Sequence, residues 1–378
     1  MFSRLRVFMM IGALAMSIAL PVGSASAADT SPTPPPPPPM PVKAKSIIDI
    51  PFFMVNDNRL TYSYNYNGTQ PGTYSGGYNG APLSGKVNKQ IYAFTHYDEW
   101  AYGTNLIGVS LTKSDHNDPA APCILPGRVA ATAPSLAALP SGTCAGATDG
   151  FATVRSTFGF NQIFDTKAFS YGPLHNVSLE VGGDAETYNG YTGAAKRAGV
   201  AGLQFAFDLP YKGYLNFAPL FYKEINHNSF TQCGALFVYG ACSPDGSKDF
   251  NATWAIETNW YMDLGFLPES IRYFSISGRV SMIGPKGPEK GIAVPTSVQT
   301  VIEYNTEPVR LTFDASKAVL GDKYSHLVDV WVAYRYWQNK YGYNHSYSGE
   351  CTLNFVAGGV NTGSCTESSV NTGVTVKF

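Results

Sequence analysis

The chain ends in SSVNTGVTVKF, residues 368–378. Thr372, Val374, Val376 and Phe378 fall on one side of this segment, and Asn371, Gly373, Thr375 and Lys377 on the other. A period of two with one apolar and one polar face marks a strand. What the apolar face meets, a protein core or lipid, decides the fold.

The same alternation recurs along the chain. In RLTYSYNYN, Leu60, Tyr62, Tyr64 and Tyr66 oppose Arg59, Thr61, Ser63 and Asn65. Val177, Leu179 and Val181 oppose Ser178, Glu180, Gly182, Asp184 and Glu186, and Leu203, Phe205 and Phe207 oppose Gln204, Ala206 and Asp208. Further on, Trp254, Ile256, Trp260 and Met262 oppose Thr253, Glu257, Asn259 and Tyr261. Phe274, Ile276, Val280 and Met282 oppose Tyr273, Ser275, Ser277, Arg279 and Ser281. Val328, Val330, Val332, Tyr334 and Tyr336 oppose Asp329, Trp331, Ala333, Arg335 and Trp337. From Arg59 onward the pattern gives about twelve strands of roughly 10 residues, close to the ~9–11 that cross a bilayer at a tilt.

Composition points the same way. Aromatic residues make up 13% of the chain and charged residues 14%, against about 25% charged in ordinary soluble domains. A barrel with an apolar outer wall and aromatic rims has this composition, as does a secreted β-sandwich. The net charge of −1 and the scattered Lys and Arg give no basic field for nucleic acid. No stretch after the N-terminal one reaches the ~18 apolar residues of a membrane helix. A closed barrel is the other structure that satisfies its backbone in lipid.

At the N-terminus, Arg4 and Arg6 precede an apolar run from Val7 to Leu20, and Ala25-Ser26-Ala27 offers small residues for cleavage. The expectation is a secretory signal peptide over residues 1–27. Residues 28–48, with prolines from Pro34 to Pro39, read as a stiff polyproline periplasmic linker, and residues 49–378 as the barrel. Six cysteines form three local pairs, Cys123 with Cys144, Cys233 with Cys242, and Cys351 with Cys365. An exported chain with an even count favours disulfides over metal ligation, although six cysteines allow fifteen pairings. Long loops follow the first, third, seventh and eleventh strands, and each cysteine pair lies after an odd-numbered one. Long loops gathered at one end are the outer-membrane barrel arrangement.

The polar faces carry both signs of charge: Glu180, Asp184, Glu186, Glu257, Asp314 and Asp329 with Arg155, Arg279, Arg310 and Arg335. In a soluble protein these faces meet water; in a barrel they line a wet lumen. The barrel reading makes Tyr261, Tyr273, Trp331 and Trp337, beside Glu257, Asn259, Asp329 and Arg335, a slot that touches solute, with Arg279 and Glu180 as further lumen candidates. Bases stack on aromatic faces at ~1–3 kcal/mol each.

The segment FTHYDEWAYGTNLIGVSLTKSD, with Trp100, Tyr102, Gly103 and Asn105, resembles the second hairpin of nucleoside-specific outer-membrane channels of the Tsx type. The segment containing Tyr334, Tyr336, Trp337, Asn339, Lys340, Tyr341 and Gly342 is similar to a strand end of that family, and Phe378 to the C-terminal aromatic signal read by the barrel-assembly machinery. The similarity runs from about residue 50 to 378 in short words. Departures are the proline linker, the cysteine-bearing loops, and Val109 and Ser110 where the family has acidic positions. The resemblance implies a monomeric twelve-stranded barrel in outer-membrane lipid that passes nucleosides through a narrow, aromatic-lined lumen.

No dinucleotide or phosphate-loop motif is present, so no cofactor is expected. Six histidines are scattered without a serine or metal-ligand pattern, so neither an enzyme nor a metal site is expected. The competing function is a structural or adhesive barrel with disulfide-closed surface loops, or a channel for another small solute.

Overall fold

The computed structural model describes residues 53–71, 86–115, 118, 146–188, 194–228, 247–288, 290, 298–352 and 357–378. The expected signal peptide and linker, and the pairs Cys123–Cys144 and Cys233–Cys242, lie outside these residues. Residues Ile50–Phe378 form one compact unit.

Twelve strands make an antiparallel barrel: β1 Phe53–Thr69, β2 Lys86–Trp100, β3 Gly103–Ser114, β4 Thr148–Gly159, β5 Leu174–Tyr188, β6 Ala194–Leu209, β7 Gly213–Asn228, β8 Thr253–Asp263, β9 Phe274–Ile283, β10 in two pieces (Glu303–Thr306 and Val309–Asp314), β11 Val328–Gln338 and β12 Thr366–Lys377. Each pairs with its sequence neighbour, and β12 returns to β1 in register from Arg59↔Lys377 to Tyr66↔Val370. Closure leaves no edge strand, so every ladder is satisfied without water. The terminal segment is therefore the closing strand. Thr61 and Thr375 share a hydroxyl hydrogen bond of 2.9 Å across the seam, and the Phe378 N–H donates to Asn58 O.

The two faces are inverted relative to a soluble protein. Leu60, Val109, Leu111, Val332, Val374 and Val376 are exposed on the outer wall, Leu60 by 54%. Ser63, Asn65, Arg155, Glu180, Glu257 and Asn371 are buried inside, Asn371 at 4%. A soluble sheet would bury the first set and wet the second, because apolar burial contributes about 25 cal/mol per Å². Only a surrounding apolar medium removes that cost for the exposed wall. Among the described residues no helix is long and apolar enough to cross a membrane; the strands are the spanning elements.

Aromatic rims border both ends. Trp100 makes edge contacts with Tyr102 and Phe158, and Tyr273 with Phe313, at one end; Tyr304 and Tyr336 pair at the other. On the outer wall the Trp260 indole covers Gly278, where a Cβ would sit 2.4 Å from the ring. β10 is interrupted at Glu307-Pro308 because proline brings no N–H to the ladder. Thr306 Oγ1 fills the gap by accepting from Tyr336 N at 2.6 Å and donating to Tyr336 O at 3.0 Å.

Connections after even-numbered strands run from 2 to 14 residues (101–102, 160–173, 210–212, 264–273 and 315–327), and all but one of those after odd-numbered strands are longer. The connection over 284–302 after β9 is also long, which the sequence reading did not single out; the one over 189–193 after β5 is short. Cys351 and Cys365 form a disulfide after β11 and pack with Tyr341 and Tyr343.

Candidate functional site

The lumen is divided into layers of side chains, and the expected single slot is not assembled. The middle layer is a charge network. Strand alternation aims Arg155 of β4, Glu180 and Asp184 of β5, Glu257 of β8 and Arg279 of β9 inward. Arg155 grips Glu257 with a two-pronged contact (Nε–Oε2 3.1 Å, Nη2–Oε1 2.6 Å) and Asp184 with another (3.0 and 3.1 Å). Arg279 donates to Glu257 at 2.5 Å and lies 3.5 Å from Glu307. Glu180 accepts from Gln204 at 2.9 Å. The Arg155–Glu257 contact joins strands that are not neighbours in the sheet, so it spans part of the lumen. Gly182 permits it, since a Cβ there would meet Arg155 Cδ at 2.6 Å.

The layer at the short-turn end gathers Tyr261 and Asp329 around His326. Tyr261 OH bonds to Asp263 and lies 3.0 Å from His326 Nε2, while His326 Nδ1 is 2.9 Å from Asp329 Oδ1. The hydrogen bond to Asp329 raises the His326 pKa above its ordinary value near 6.5, with burial opposing. Asp314, His326 and Asp329 lie close enough to hold an ion, yet Asp314 already accepts from Lys317 N, Ser325 Oγ, Ser316 Oγ and His326 N. That set caps the turn after β10. Asn259 lies nearer the middle and accepts from Asn216 at 3.1 Å.

Tyr273 was expected in the lumen. It precedes β9, and its ring packs edge-on against the outward-facing Phe313 at 6.2 Å, so it belongs to the aromatic rim. At a strand end the alternation no longer sets the side-chain direction.

The layer at the long-loop end contains Trp337, Arg335 and residues from two connections that turn inward. Trp337 Nε1 donates to Glu303 at 2.9 Å, with Arg335 4.6 Å and Lys340 4.5 Å from its ring centre. Lys340 pairs with Glu367 of β12 and donates to Thr69 O at 2.7 Å. Tyr341 OH donates to Glu186 of β5 at 2.7 Å. These contacts run from the β12–β1 seam to β5, across the mouth. Asn339, Tyr341 and Gly342 all have positive φ, which bends the chain inward as it leaves β11. Lys286, after β9, is 1% exposed and donates to the wholly buried Glu224 at 2.7 Å. An apolar cluster of Val200, Ala218, Leu220, Tyr222, Ala255 and Ile283 lines the inner wall beside it. The lumen is therefore partly packed, where sequence reasoning had charged and aromatic faces line a wet interior.

Trp331 stands apart from these layers, on β11 between Asp329 and Ala333. Its indole lies over Gly373 of β12, where a Cβ would meet the ring at 2.3 Å, and its Nε1 donates to Thr375 at 3.0 Å. Arg310 sits 4.0 Å above the ring centre.

The structure thus joins Glu180, Glu257 and Arg279 in one layer, Tyr261 and Asp329 in a second, and Trp337 and Arg335 in a third. Sequence reasoning missed Lys286 and Glu224, and had Lys340 only within the resemblance and Asn371 only as a polar-face residue. The two lysines lie in connections where no periodicity aims a side chain. Arg155 and Arg310 were recognised as inward charges without being singled out.

These features define a transmembrane antiparallel β-barrel of twelve strands. No protein-family model matches the sequence, and no curated protein matches it. Similar solved structures include an outer-membrane channel of Pseudomonas putida F1 (9% identity, 89% of this chain and 100% of that chain, TM-score 0.42). A KdgM porin in complex with disordered oligogalacturonate (9%, 86% and 99%, 0.31) and a Pseudomonas aeruginosa FadL homologue (7%, 85% and 89%, 0.30) are also similar. With TM-scores below 0.5, the fold assignment rests on this chain's own strand pairings.

Proposed function

We propose that this protein is an outer-membrane channel through which small solutes diffuse passively, exported by the N-terminal signal peptide and assembled through its terminal Phe378. The observation that carries the reading is the closed barrel with an apolar outside and a charged, hydrogen-bonded inside. Such an interior has no use in a buried core, where unpaired polar groups cost several kcal/mol, but it suits a water-bearing lumen. The short connections then face the periplasm and the disulfide-closed one the exterior. The narrower reading is nucleoside passage, supported by the resemblance to Tsx-type channels and by lumen indoles Trp331 and Trp337. A lumen of this kind selects by width, hydrogen bonding and charge.

Liposome swelling tests this reading. Uridine and thymidine entering faster than size-matched sugars support nucleoside preference, and equal rates remove it. Heat-modifiable migration of detergent-extracted protein on an unheated gel tests the barrel itself. A second reading, a closed structural or adhesive barrel, is favoured by the Lys286 and Lys340 connections folded into the mouth. Silent planar bilayers would select it.

The channel reading includes no catalytic step.

A further inference from the structure

The connection that leaves β11 crosses the lumen at its long-loop end. Within three residues of Gln338, Tyr341 OH donates to Glu186 of β5 at 2.7 Å. β11 and β5 are six strands apart either way around a ring of twelve, so this strap bridges opposite walls. Lys340, 1% exposed, holds it to the seam by pairing with Glu367 of β12 and donating to Thr69 O of β1 at 2.7 Å. The connection after β9 holds it from a third side. There Lys286 donates to Tyr341 O at 3.3 Å, and Ile302 O accepts from Asn339 Nδ2 at 2.8 Å. These holds are side-chain bonds, whereas the wall strands are held by backbone ladders.

The backbone of the strap is strained. Asn339, Tyr341 and Gly342 have φ of 55°, 58° and 79°, in the left-handed region that costs energy for a residue with a Cβ. Such backbone persists only where its surroundings hold it, and it gathers in switch segments. Gly342 is needed for close approach, since a Cβ there would meet Gln299 Oε1 at 2.9 Å and Lys286 Cε at 3.0 Å. Two residues that the strap covers, Thr69 and Gln299, are wholly buried. Thr69 Oγ1 and both amide atoms of Gln299 have no hydrogen-bond partner among the described residues. Burial of polar atoms in that condition is costly, and contact with water removes the cost.

We propose that residues 339–343 are a gate strap, latched across the lumen by Lys340 and Tyr341, which swings off β5 and the β12–β1 seam to admit solute. The latches favour the closed position, and desolvation offsets much of what the buried Lys340–Glu367 pair contributes. Relaxed backbone and hydration of Thr69 and Gln299 favour the open one. The disulfide between Cys351 and Cys365 keeps the far half of the connection beside the start of β12, so the moving part lies between Gln338 and Cys351. The proposal rests on the channel reading and adds regulation to it: the mouth is closed until the latches break.

A thiol placed at Thr69 reports the position of the strap without conduction. Full-length T69C, refolded in detergent, is treated with a water-soluble maleimide, and labelling of the folded band on unheated gels is timed. An open population of 10% or less makes T69C react at least about tenfold more slowly than V360C, whose native valine is 70% exposed. K340M removes the charged latch and is expected to speed T69C labelling about tenfold, as loss of a charge-assisted bond implies. Y341F deletes only the hydroxyl that reaches Glu186, and about a threefold gain is expected from one neutral donor. K323M, in an exposed turn at the other end of the barrel, is expected to leave the rate unchanged. Equal T69C rates in the native, K340M and Y341F backgrounds overturn the gate, as does native-background T69C labelling as fast as V360C. Planar bilayers separate gate from channel, because K340M and Y341F are expected to raise the open probability in the same order. Silent bilayers with accelerated labelling remove the channel and support the movable strap, whereas conductance unmoved by either variant removes the gate alone.

Discussion

Replacing Glu257 by Gln removes the negative centre of the middle layer while preserving its shape. Glu257 accepts two bonds from Arg155 and one of 2.5 Å from Arg279. Its side chain is 10% exposed and that of Arg155 is 7% exposed, so solvent screens little of the interaction. Losing one partner of a buried ion pair costs about 3–5 kcal/mol, because the remaining charge stays buried. Here Arg155 keeps the Asp184 fork and Arg279 keeps Glu307 at 3.5 Å, which places the loss near the lower end, about 3 kcal/mol. That is roughly a hundredfold in the folded-to-unfolded ratio. Urea unfolding of the refolded barrel, read from folded and unfolded bands on unheated gels, measures it. R155Q and the double variant complete a cycle that isolates the pair, with a coupling above about 1 kcal/mol expected. Single-channel conductance of E257Q should rise, because the amide offers Arg155 one acceptor oxygen in place of two, which loosens the contact from β4 to β8. Unchanged stability together with unchanged conductance would refute the view that this network holds the interior in shape.

Three further outcomes follow from the structure. G373V should drive Trp331 off the wall, since the new Cβ overlaps its ring; a loss of about 1–3 kcal/mol is expected from overpacking, and an unaltered near-ultraviolet dichroism spectrum would contradict it. C351S with C365S opens a loop of sequence separation 14, for which about 3 kcal/mol of loop-closure entropy is expected; protease cleavage within residues 339–365 should speed up, and unchanged cleavage would count against the bridge as a loop staple. Because the hydrogen bond to Asp329 raises the His326 pKa, its stabilisation is fully present below the ordinary value near 6.5 and is lost as pH rises through the elevated one. H326Q should flatten that part of the pH–stability curve, and an undiminished slope would assign it to another group.

The class of fold was legible because a membrane barrel repeats one local rule at every strand. Period-two alternation at Leu60–Tyr66, Val328–Tyr336 and Thr372–Phe378 depends only on successive side chains pointing to opposite faces. A barrel wall exposes one face to lipid along its whole circumference, so the rule needs no knowledge of partners. The direction of Glu180, Glu257, Arg279 and Trp331 followed from it. The rule lapses where a strand ends, and Tyr273 accordingly joined the rim.

What the sequence by itself determined about this protein is which face each strand residue takes and which end carries the long connections. Only the tertiary structure decided which inward residues meet. Arg155 reaches Glu257 through ring closure and register, and Lys286, Lys340 and Tyr341 enter the lumen from connections that follow no periodic rule. Arg310 and Arg335 lie against the Trp331 and Trp337 rings, a contact no single strand's pattern announces. The physical reason is that side-chain direction is a property of one strand, whereas a binding surface is a property of several strands brought into register by closure.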